Sequence, residues 1–548
     1  MRELIILSAL MLSTIHGVAQ NYFSDSQKQA WLQKAADNTP KLIHTKIKPE
    51  YQVDVVDDTN AFQHKKAIKP RVVKDLYSSS FKDKSGIILD LGDHYTGYFT
   101  FSVGEYKSDM DAPLRLKFTF GEVPAEVTTS FDNFHGNISR AWLQDETVTV
   151  EQLPATITIP RRLSCRYIKI EDVGSSPYAE FCFTNMEFDA VTSANKKIAE
   201  LPEYTPAIVR QIDKVAQNTL KECMQTVYED GPKRDHRLWI GDLYLQMSAD
   251  NYAFQNRELV KRSLYLMAGL SKDNGYLNHT VFEKPVPHPQ RVPFYLYEYA
   301  LLYNAVLNDY VEQTGDKETA LDLWSVAKRQ VQLIPDMLDK NQLFSSAKAD
   351  KANLWQFVDW NEKLNKQVAE QGMYIFALDK TYKLAKSLGK EKEVAYIPGL
   401  ISQMKKAALT LYDAKQGYFV SGKEKQVSYA SQVWMILAKV VDKKQGKEIL
   451  RRLLKDNKAL KPGGPYLYHY VVQALIDCDL NQEAYDLVTT YWGGMIHKGA
   501  DTFWEVYVPE DDFVSPYNFA PINSYCHAWS CTPIYFIRKY PEIFQKRH

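Results

Sequence analysis

The sequence predicts two domains: an antiparallel β-sandwich with a lead-in over residues 20–195, then an (α/α)6 toroid of six helical hairpins over residues 196–548. Three observations support this fold class. The hydrophobic period changes near residue 195, from the alternation typical of strands to the three-and-four spacing of helices. The helical part holds about twelve helix-length segments without the fixed repeat length that a linear solenoid needs. At 548 residues, the chain is also too long for a single hydrophobic core.

Short β-favouring runs alternate with turn signals before residue 195. Runs with the alternation of strands lie at 87–92, 98–103, 114–120, 156–159, 167–170 and 181–190. No helical segment separates these runs, and such a series is typical of antiparallel sandwiches. Residues 21–85 are less regular, and we expect a helix-rich lead-in with strand edges there.

Helical periodicity dominates the rest of the chain. Apolar residues recur three and four positions apart in 205–226, 237–254, 257–270, 293–313, 317–338, 368–388, 391–412, 427–440, 445–457, 466–478, 482–492 and 525–539. Long polar loops that carry aromatic residues lie at 272–291, 341–366, 413–425 and 493–524. Loops of this length in a compact domain are usually functional. Because a toroid gathers the loops of one end together, they predict a ligand-binding funnel there.

The first residues have the pattern of an export signal. Arg2 is followed by an apolar stretch from Leu4 to Ile15 and by the small residues Gly17-Val18-Ala19. We therefore expect residues 1–19 to be a signal peptide and the mature protein to be periplasmic or extracellular. No later run has the length of a membrane helix, so we expect no membrane insertion.

Composition excludes several classes of partner. Lys+Arg and Asp+Glu both number 67, and this balance argues against a nucleic-acid partner, which would require a basic surface. The six cysteines form no CxxC pair, and no phosphate-binding glycine loop is present. We therefore expect neither a metal ion nor a cofactor. The sequence gives no indication of the oligomeric state.

The segment from Glu229 to Asp242 concentrates the residues that could carry chemistry. It holds four carboxylates, two arginines, a histidine and a tryptophan around the turn-forming pair Gly231-Pro232. In a purely structural interpretation, Asp235 caps the next helix while Asp230 pairs with Arg234. In a functional interpretation, the carboxylates line the funnel.

This segment resembles the signature of family 78 glycoside hydrolases, the α-L-rhamnosidases. Asp230, Pro232, Arg234, Trp239 and the Gly241-Asp242 pair match that signature. The family's general acid is usually a Glu seven positions before the last Asp, and this chain has Asp235 there. A different gap placement puts His236 at that position.

Further matches follow in the same order along the chain. Gly499 to Glu505 resembles the family segment whose Glu is the general base, which implies that role for Glu505. Asn523 to Trp529 resembles the segment with a substrate-contacting His, here His527. Val358-Asp359-Trp360 and, in the first domain, Phe120-Gly121-Glu122 are also similar to family segments. The resemblance also implies substrate contacts by other residues. Asp230 and Asp242 would accept hydrogen bonds from the sugar, Arg234 would bind it as well, and the side chains of Trp239, Trp360 and Trp504 would pack on it.

The resemblance implies that the chain removes terminal α-L-rhamnose from an oligosaccharide or polysaccharide with inversion. The carboxyl groups of Asp235 and Glu505 should then stand about 6.5–9.5 Å apart, with room for a water molecule between them. Two other functions stay open from the sequence. One is a different (α/α)6 glycosidase or a polysaccharide lyase. The other is a sugar-binding homologue without activity, which the replacement of Glu by Asp235 would allow.

Overall fold

The computed structural model describes residues 21–81, 86–292 and 294–546. The expected signal peptide, residues 1–19, lies outside the described residues. Within them, no helix is both long and apolar enough to cross a bilayer.

In its described residues, the lead-in contains α1 (Asp25–Asp37), β1 (Ile43–Ile47), β2 (Tyr51–Asp57) and β3 (Lys65–Val72), together with two 3-10 turns. Ser24 caps α1 by accepting a hydrogen bond from the backbone N–H of Gln27. The helix buries Trp31 and Ala35 in the core of the helical domain, where it packs against the helix at Arg257–Gly269.

The first domain is a nine-stranded antiparallel sheet. Its other strands are β4 (Ile87–Lys107), β5 (Leu114–Gly121), β6 (Asp145–Val150), β7 (Ala155–Thr158), β8 (Leu163–Gly174) and β9 (Glu180–Thr192). Two predicted runs, 87–92 and 98–103, join in the single long strand β4. This strand pairs with β2 and β8 along its first half and with β7 and β9 along its second. The inward side chains of β4 and β5 build a core rich in phenylalanine.

The second domain is helical, and each helical segment predicted from the sequence contains a helix. The helices are α2 (Ala207–Cys223), α3 (Ile240–Asp250), α4 (Arg257–Gly269), α5 (Tyr297–Thr314), α6 (Lys317–Gln330), α7 (Ile334–Met337), α8 (Ser346–Lys351), α9 (Gln367–Leu388), α10 (Ile397–Leu409), α11 (Tyr429–Leu437), α12 (Lys443–Leu453), α13 (Pro465–Asp477), α14 (Asn481–His497), α15 (Pro533–Lys539) and α16 (Pro541–Phe544). Two small sheets lie in the loops: β10 (Leu238–Trp239), β11 (Thr280–Phe282) and β12 (His288–Pro289), and the pair β13 (Tyr412–Asp413) and β14 (Tyr418–Phe419).

The inner helices form a closed ring. Each of α3, α5, α9, α11 and α13 packs against the next, and the 3-10 turn Ala528–Cys531 packs against both α13 and α3. Helix α3 is buried along its whole length, whereas α12, on the outside, buries only one stripe of side chains. Closure of the ring confirms the predicted toroid, as opposed to an open solenoid. The inner helices begin at one end of the ring, where Asp242 lies in the first turn of α3.

Candidate active site

A cavity of about 220 Å³ lies at this end of the ring. Ligand pockets commonly span about 300–1,000 Å³, so a cavity below that range suits a single sugar ring. The predicted site residues that line it are Asp230, Arg234, Asp235, Trp239, Asp242, Trp360, Glu505 and His527. The fold thus brings together residues that lie near the beginning and near the end of the helical domain's sequence.

The loop that carries Asp235 is folded around the carboxylate of Asp230. This carboxylate accepts hydrogen bonds from the backbone N–H of Asp235, at 3.1 and 3.2 Å, and of Arg237, at 3.4 Å. Gly231 makes this possible, because a Cβ there would collide with the carbonyl oxygen of Arg234. Burial, and then the negative charge of Asp235, raise the pKa of Asp230 to about 8.

Asp235 faces the cavity and forms ion pairs with two arginines, of which Arg234 also donates a hydrogen bond to it. Arg234 Nη1 lies 3.1 Å from Oδ1, and Arg237 Nη2 lies 2.8 Å from Oδ2. The N-cap of α3 is Trp239, so Asp235 does not cap that helix. The cap that the structural interpretation assigned to Asp235 is therefore wrong.

His236, the alternative acid, turns its ring onto Trp142, with 5.5 Å between ring centroids. Burial, and then the positive charge of Arg162, hold the pKa of His236 well below its ordinary value. A neutral imidazole outside the cavity lining cannot donate a proton to a bound glycoside at neutral pH. This geometry favours Asp235 as the acid.

Glu505 is fixed on the other side of Arg234. Its carboxylate accepts hydrogen bonds from Arg234 Nη2, from the Tyr517 hydroxyl at 2.5 Å and from the backbone N–H of Ser524 at 3.2 Å. The Arg234 guanidinium stacks over the ring of Tyr517, 4.1 Å from its centroid. A single planar guanidinium therefore contacts both carboxylates and fixes their relative orientation.

Several buried polar atoms around the cavity have no hydrogen-bond partner in the described part of the chain. They are Asp242 Oδ1, His527 Nδ1, Trp239 Nε1 and Trp360 Nε1. Burial raises the pKa of Asp242 well above its ordinary value and lowers that of His527 well below it. Buried polar groups are rarely left unpaired. These donors and acceptors therefore fit the hydroxyl groups of a sugar.

Family models match both domains. Residues 49–190 match the glycosyl hydrolase family 78 alpha-rhamnosidase N-terminal domain, and residues 205–540 match the bacterial alpha-L-rhamnosidase six-hairpin glycosidase domain. The chain belongs to glycoside hydrolase family 78. It is 39% identical to a rhamnosidase from Klebsiella oxytoca that was solved with rhamnose bound. That likeness has a TM-score of 0.90 and covers 94% of this chain and 99% of the other.

Two larger rhamnosidases, both less than 25% identical to the chain, have a similar fold. The chain is 18% identical to a rhamnosidase of Bacillus sp. GL1, with a TM-score of 0.70 over 86% of this chain and 49% of that one. It is 16% identical to a Streptomyces avermitilis alpha-L-rhamnosidase complexed with L-rhamnose, with a TM-score of 0.63 over 91% of this chain and 44% of that one. The chain thus spans about half the length of these larger enzymes. No curated protein sequence matched it.

One predicted contact of this family 78 hydrolase needs correction. Trp504 does not line the cavity: it is 1% exposed, and its ring packs against Phe62, with 3.9 Å between centroids, and against Tyr507. Its neighbour Glu505 enters the cavity, while Trp504 points away into the core. Trp504 is therefore a packing residue.

Sequence reasoning missed other residues of the cavity wall. These are Ile138, Trp142, Arg237, Leu296, Tyr299, Trp355, Phe357, Tyr517 and Trp529. Arg237 and Trp529 lie inside segments that the family resemblance had marked, and Trp355 and Tyr517 lie in the long loops. Ile138 and Trp142 come from the first domain, where no motif pointed to the site.

Buried charges join the first domain of the family 78 enzyme to its active-site loop. Lys233 Nζ lies 2.6 Å from Glu126 Oε1, 3.1 Å from Glu122 Oε2 and 3.3 Å from the carbonyl oxygen of Pro521. Glu122 also accepts a hydrogen bond from the backbone N–H of Tyr525 at 2.6 Å. The two glutamates follow β5, so the first domain contacts the loop that carries Asp235 and also the segment 521–525, which lies beside Glu505.

Proposed function

We propose that this protein hydrolyses terminal α-L-rhamnosides of an oligosaccharide or polysaccharide with inversion at the anomeric carbon. The observation that carries the proposal is the pair of carboxylates, Asp235 and Glu505, held by one guanidinium at a cavity sized for one sugar. Membership of family 78 and the likeness to the rhamnose-bound Klebsiella enzyme support rhamnose as the sugar.

In this mechanism, Asp235 is the general acid and Glu505 the general base. Glu505 takes a proton from a water molecule, whose oxygen forms a bond to the anomeric carbon. The bond from that carbon to the leaving oxygen breaks on the opposite face, and this oxygen receives the proton of Asp235. The two carboxyl groups return to their starting states by proton exchange with solvent.

The remaining polar residues bind and orient the sugar. Asp242, His527 and the two indole N–H groups offer hydrogen bonds to its hydroxyls. Tyr517 and Arg234 keep the carboxylate of Glu505 aimed into the cavity. The aromatic side chains of Trp239 and Trp360 pack on the apolar faces of the ring.

We also propose that the protein is exported and acts in the periplasm or outside the cell. The support is the charged start, the apolar stretch and the small residues of 1–19. N-terminal sequencing of the protein from fractionated cells should give a start near Gln20. A start at Met1 in the cytoplasmic fraction would contradict export.

The purified protein should release the phenol from an aryl α-L-rhamnoside, and proton NMR should detect β-rhamnose before mutarotation. Glu505→Gln should lower kcat by roughly a thousandfold, since it removes the base but keeps the shape. Glu510→Gln is the matched control, because it makes the same change at an exposed residue of the same loop.

Other outcomes would separate the competing functions. Release of α-rhamnose first would contradict inversion. Absorbance of an unsaturated uronide, without rhamnoside cleavage, would indicate a lyase. Calorimetric binding of rhamnose without any turnover would indicate a sugar-binding protein.

A further inference from the structure

The connection between β5 and β6 reaches the cavity from the first domain. Its residues Ile138 and Trp142 are partly buried and line the cavity together with residues of the helical domain. The connection is irregular and contains two short 3-10 turns, Phe131–Asn133 and Arg140–Trp142. We call residues 131–143 the lip.

The lip is fastened to the helical domain. Phe131 and Leu143 share a small buried cluster with Phe519 and Ile522. Asn137 donates two hydrogen bonds across the domain boundary, from its backbone N–H to the carbonyl oxygen of Tyr517 at 3.1 Å and from Nδ2 to that of Pro516 at 3.3 Å. The lip is therefore a fixed part of the wall.

The lip also lies beside the proposed acid. The ring of Trp142 meets the ring of His236 edge to face, at 84° between their planes, and His236 directly follows Asp235 in the chain. The acid must give its proton to the leaving oxygen, so the leaving group lies on this side of the sugar. The cavity is close to the size of one sugar ring, and Ile138 and Trp142 are only partly buried, so the leaving group lies where the cavity opens to solvent, beside the lip.

We propose that Trp142 and Ile138 bind the ring of the leaving group. This inference rests on the proposed function. An indole and an aliphatic side chain form an apolar surface, and they pack well against the C–H face of a pyranose or the face of an aryl group. The first domain would then contribute to substrate choice by favouring glycosides whose leaving group carries such a ring.

The test compares leaving groups of different size in one variant. The substrates are α-L-rhamnosyl fluoride, whose leaving group cannot reach the lip, an aryl α-L-rhamnoside and a rhamnose-terminated disaccharide. In Trp142→Ala, the ratio of kcat/KM for the disaccharide to that for the fluoride should fall about tenfold, the size expected for one lost aromatic contact. Trp142→Phe should largely restore the ratio. A fall for the aryl glycoside but not the disaccharide would identify an aryl leaving group as the occupant.

Equal losses on all three substrates, or no loss at all, would overturn the inference. Should Trp142→Ala fail to fold, Ile138→Ala removes less packing and should lower the same ratio. Binding provides a readout that does not need turnover. Glu505→Gln should bind the disaccharide more tightly than rhamnose in calorimetry, and addition of Trp142→Ala should remove that difference. A wild-type protein that cleaves no rhamnoside contradicts the proposed function. If neither the disaccharide nor the aryl rhamnoside binds Glu505→Gln more tightly than rhamnose does, the proposed role of the lip is contradicted.

Discussion

Replacement of Lys233 by methionine should destabilise the protein strongly and in a pH-dependent way. Lys233 is 2% exposed, and its ammonium group neutralises two carboxylates that are equally buried, Glu122 and Glu126. Methionine is one atom shorter than lysine, and it keeps an unbranched apolar side chain but removes the charge. The variant therefore leaves two buried acids without their shared cation.

The expected loss is about 3–5 kcal/mol of unfolding free energy at pH 8, the usual cost of removing one partner of a buried ion pair. Burial raises the pKa of Glu126 to about 7, even though Lys233 opposes this, so Glu126 can take up a proton in mildly acidic solution. Burial also disfavours the charge on Glu122, but Lys233, and then His94, outweigh it and hold its pKa at about 2. A carboxyl group whose pKa is higher in the folded than in the unfolded state stabilises the folded protein at low pH. This stabilisation is lost as the pH rises through the folded-state pKa. Since Lys233 lowers the pKa of both glutamates, its removal raises them further, and the variant loses more stability than the wild-type protein as the pH rises. The difference between the two proteins should therefore be about 1 kcal/mol smaller at pH 6 than at pH 8.

Urea denaturation at pH 6 and pH 8 measures both effects. Adding Glu126→Gln to the variant should recover part of the stability at pH 8, because it removes one of the two orphaned charges. Lys443→Met is the matched control, since its partner Asp479 is exposed and the change should cost under about 1 kcal/mol. A loss below about 1 kcal/mol in Lys233→Met at pH 8, or no recovery in the double variant, would refute the reasoning.

Two other variants test the loop that carries Asp230 and Asp235. Asp235→Asn should abolish cleavage of poor leaving groups but spare activated aryl glycosides in part, because these need less protonation; the same selective loss in His236→Ala instead would move the acid to His236. Asp230→Asn should flatten the dependence of stability on pH between about pH 5 and 8. The reason is that a carboxyl whose pKa is raised to about 8 in the folded state loses its stabilising effect as the pH rises through this window, whereas an amide does not titrate. Unfolding free energies at three pH values check this, and equal slopes in the two proteins would contradict the assignment.

Periodicity was sufficient to predict the helical domain, because outer helices such as α12 bury a single stripe of side chains and therefore show the three-and-four spacing clearly. The first domain was harder. Strand β6 alternates threonine with valine after two acidic residues, and so it lacks the strong apolar signal of β4. The strands of the lead-in are largely exposed, which removes the same signal.

The site was predicted where its residues follow one another in a motif and missed where they do not. Asp230, Arg234 and Asp235 share one loop, so the sequence displays them together. Tyr517 and Trp142 reach the cavity only through tertiary packing, which no local pattern records. Trp504 shows the opposite error: its adjacency to Glu505 suggested a shared role, yet neighbouring side chains leave the backbone in different directions.

The two carboxylates that neutralise Lys233 also determine which first domains could replace this one in a chimaeric protein. The domains look modular, since each matches its own family model. A first domain taken from a relative would nevertheless need acidic residues at the positions of Glu122 and Glu126. Without them, the buried ammonium group of Lys233 would have no negative partner, close to Asp235. Successful chimaeras should therefore be those in which both sides of this contact are inherited together, and the point of recombination should matter less than the compatibility of the charges.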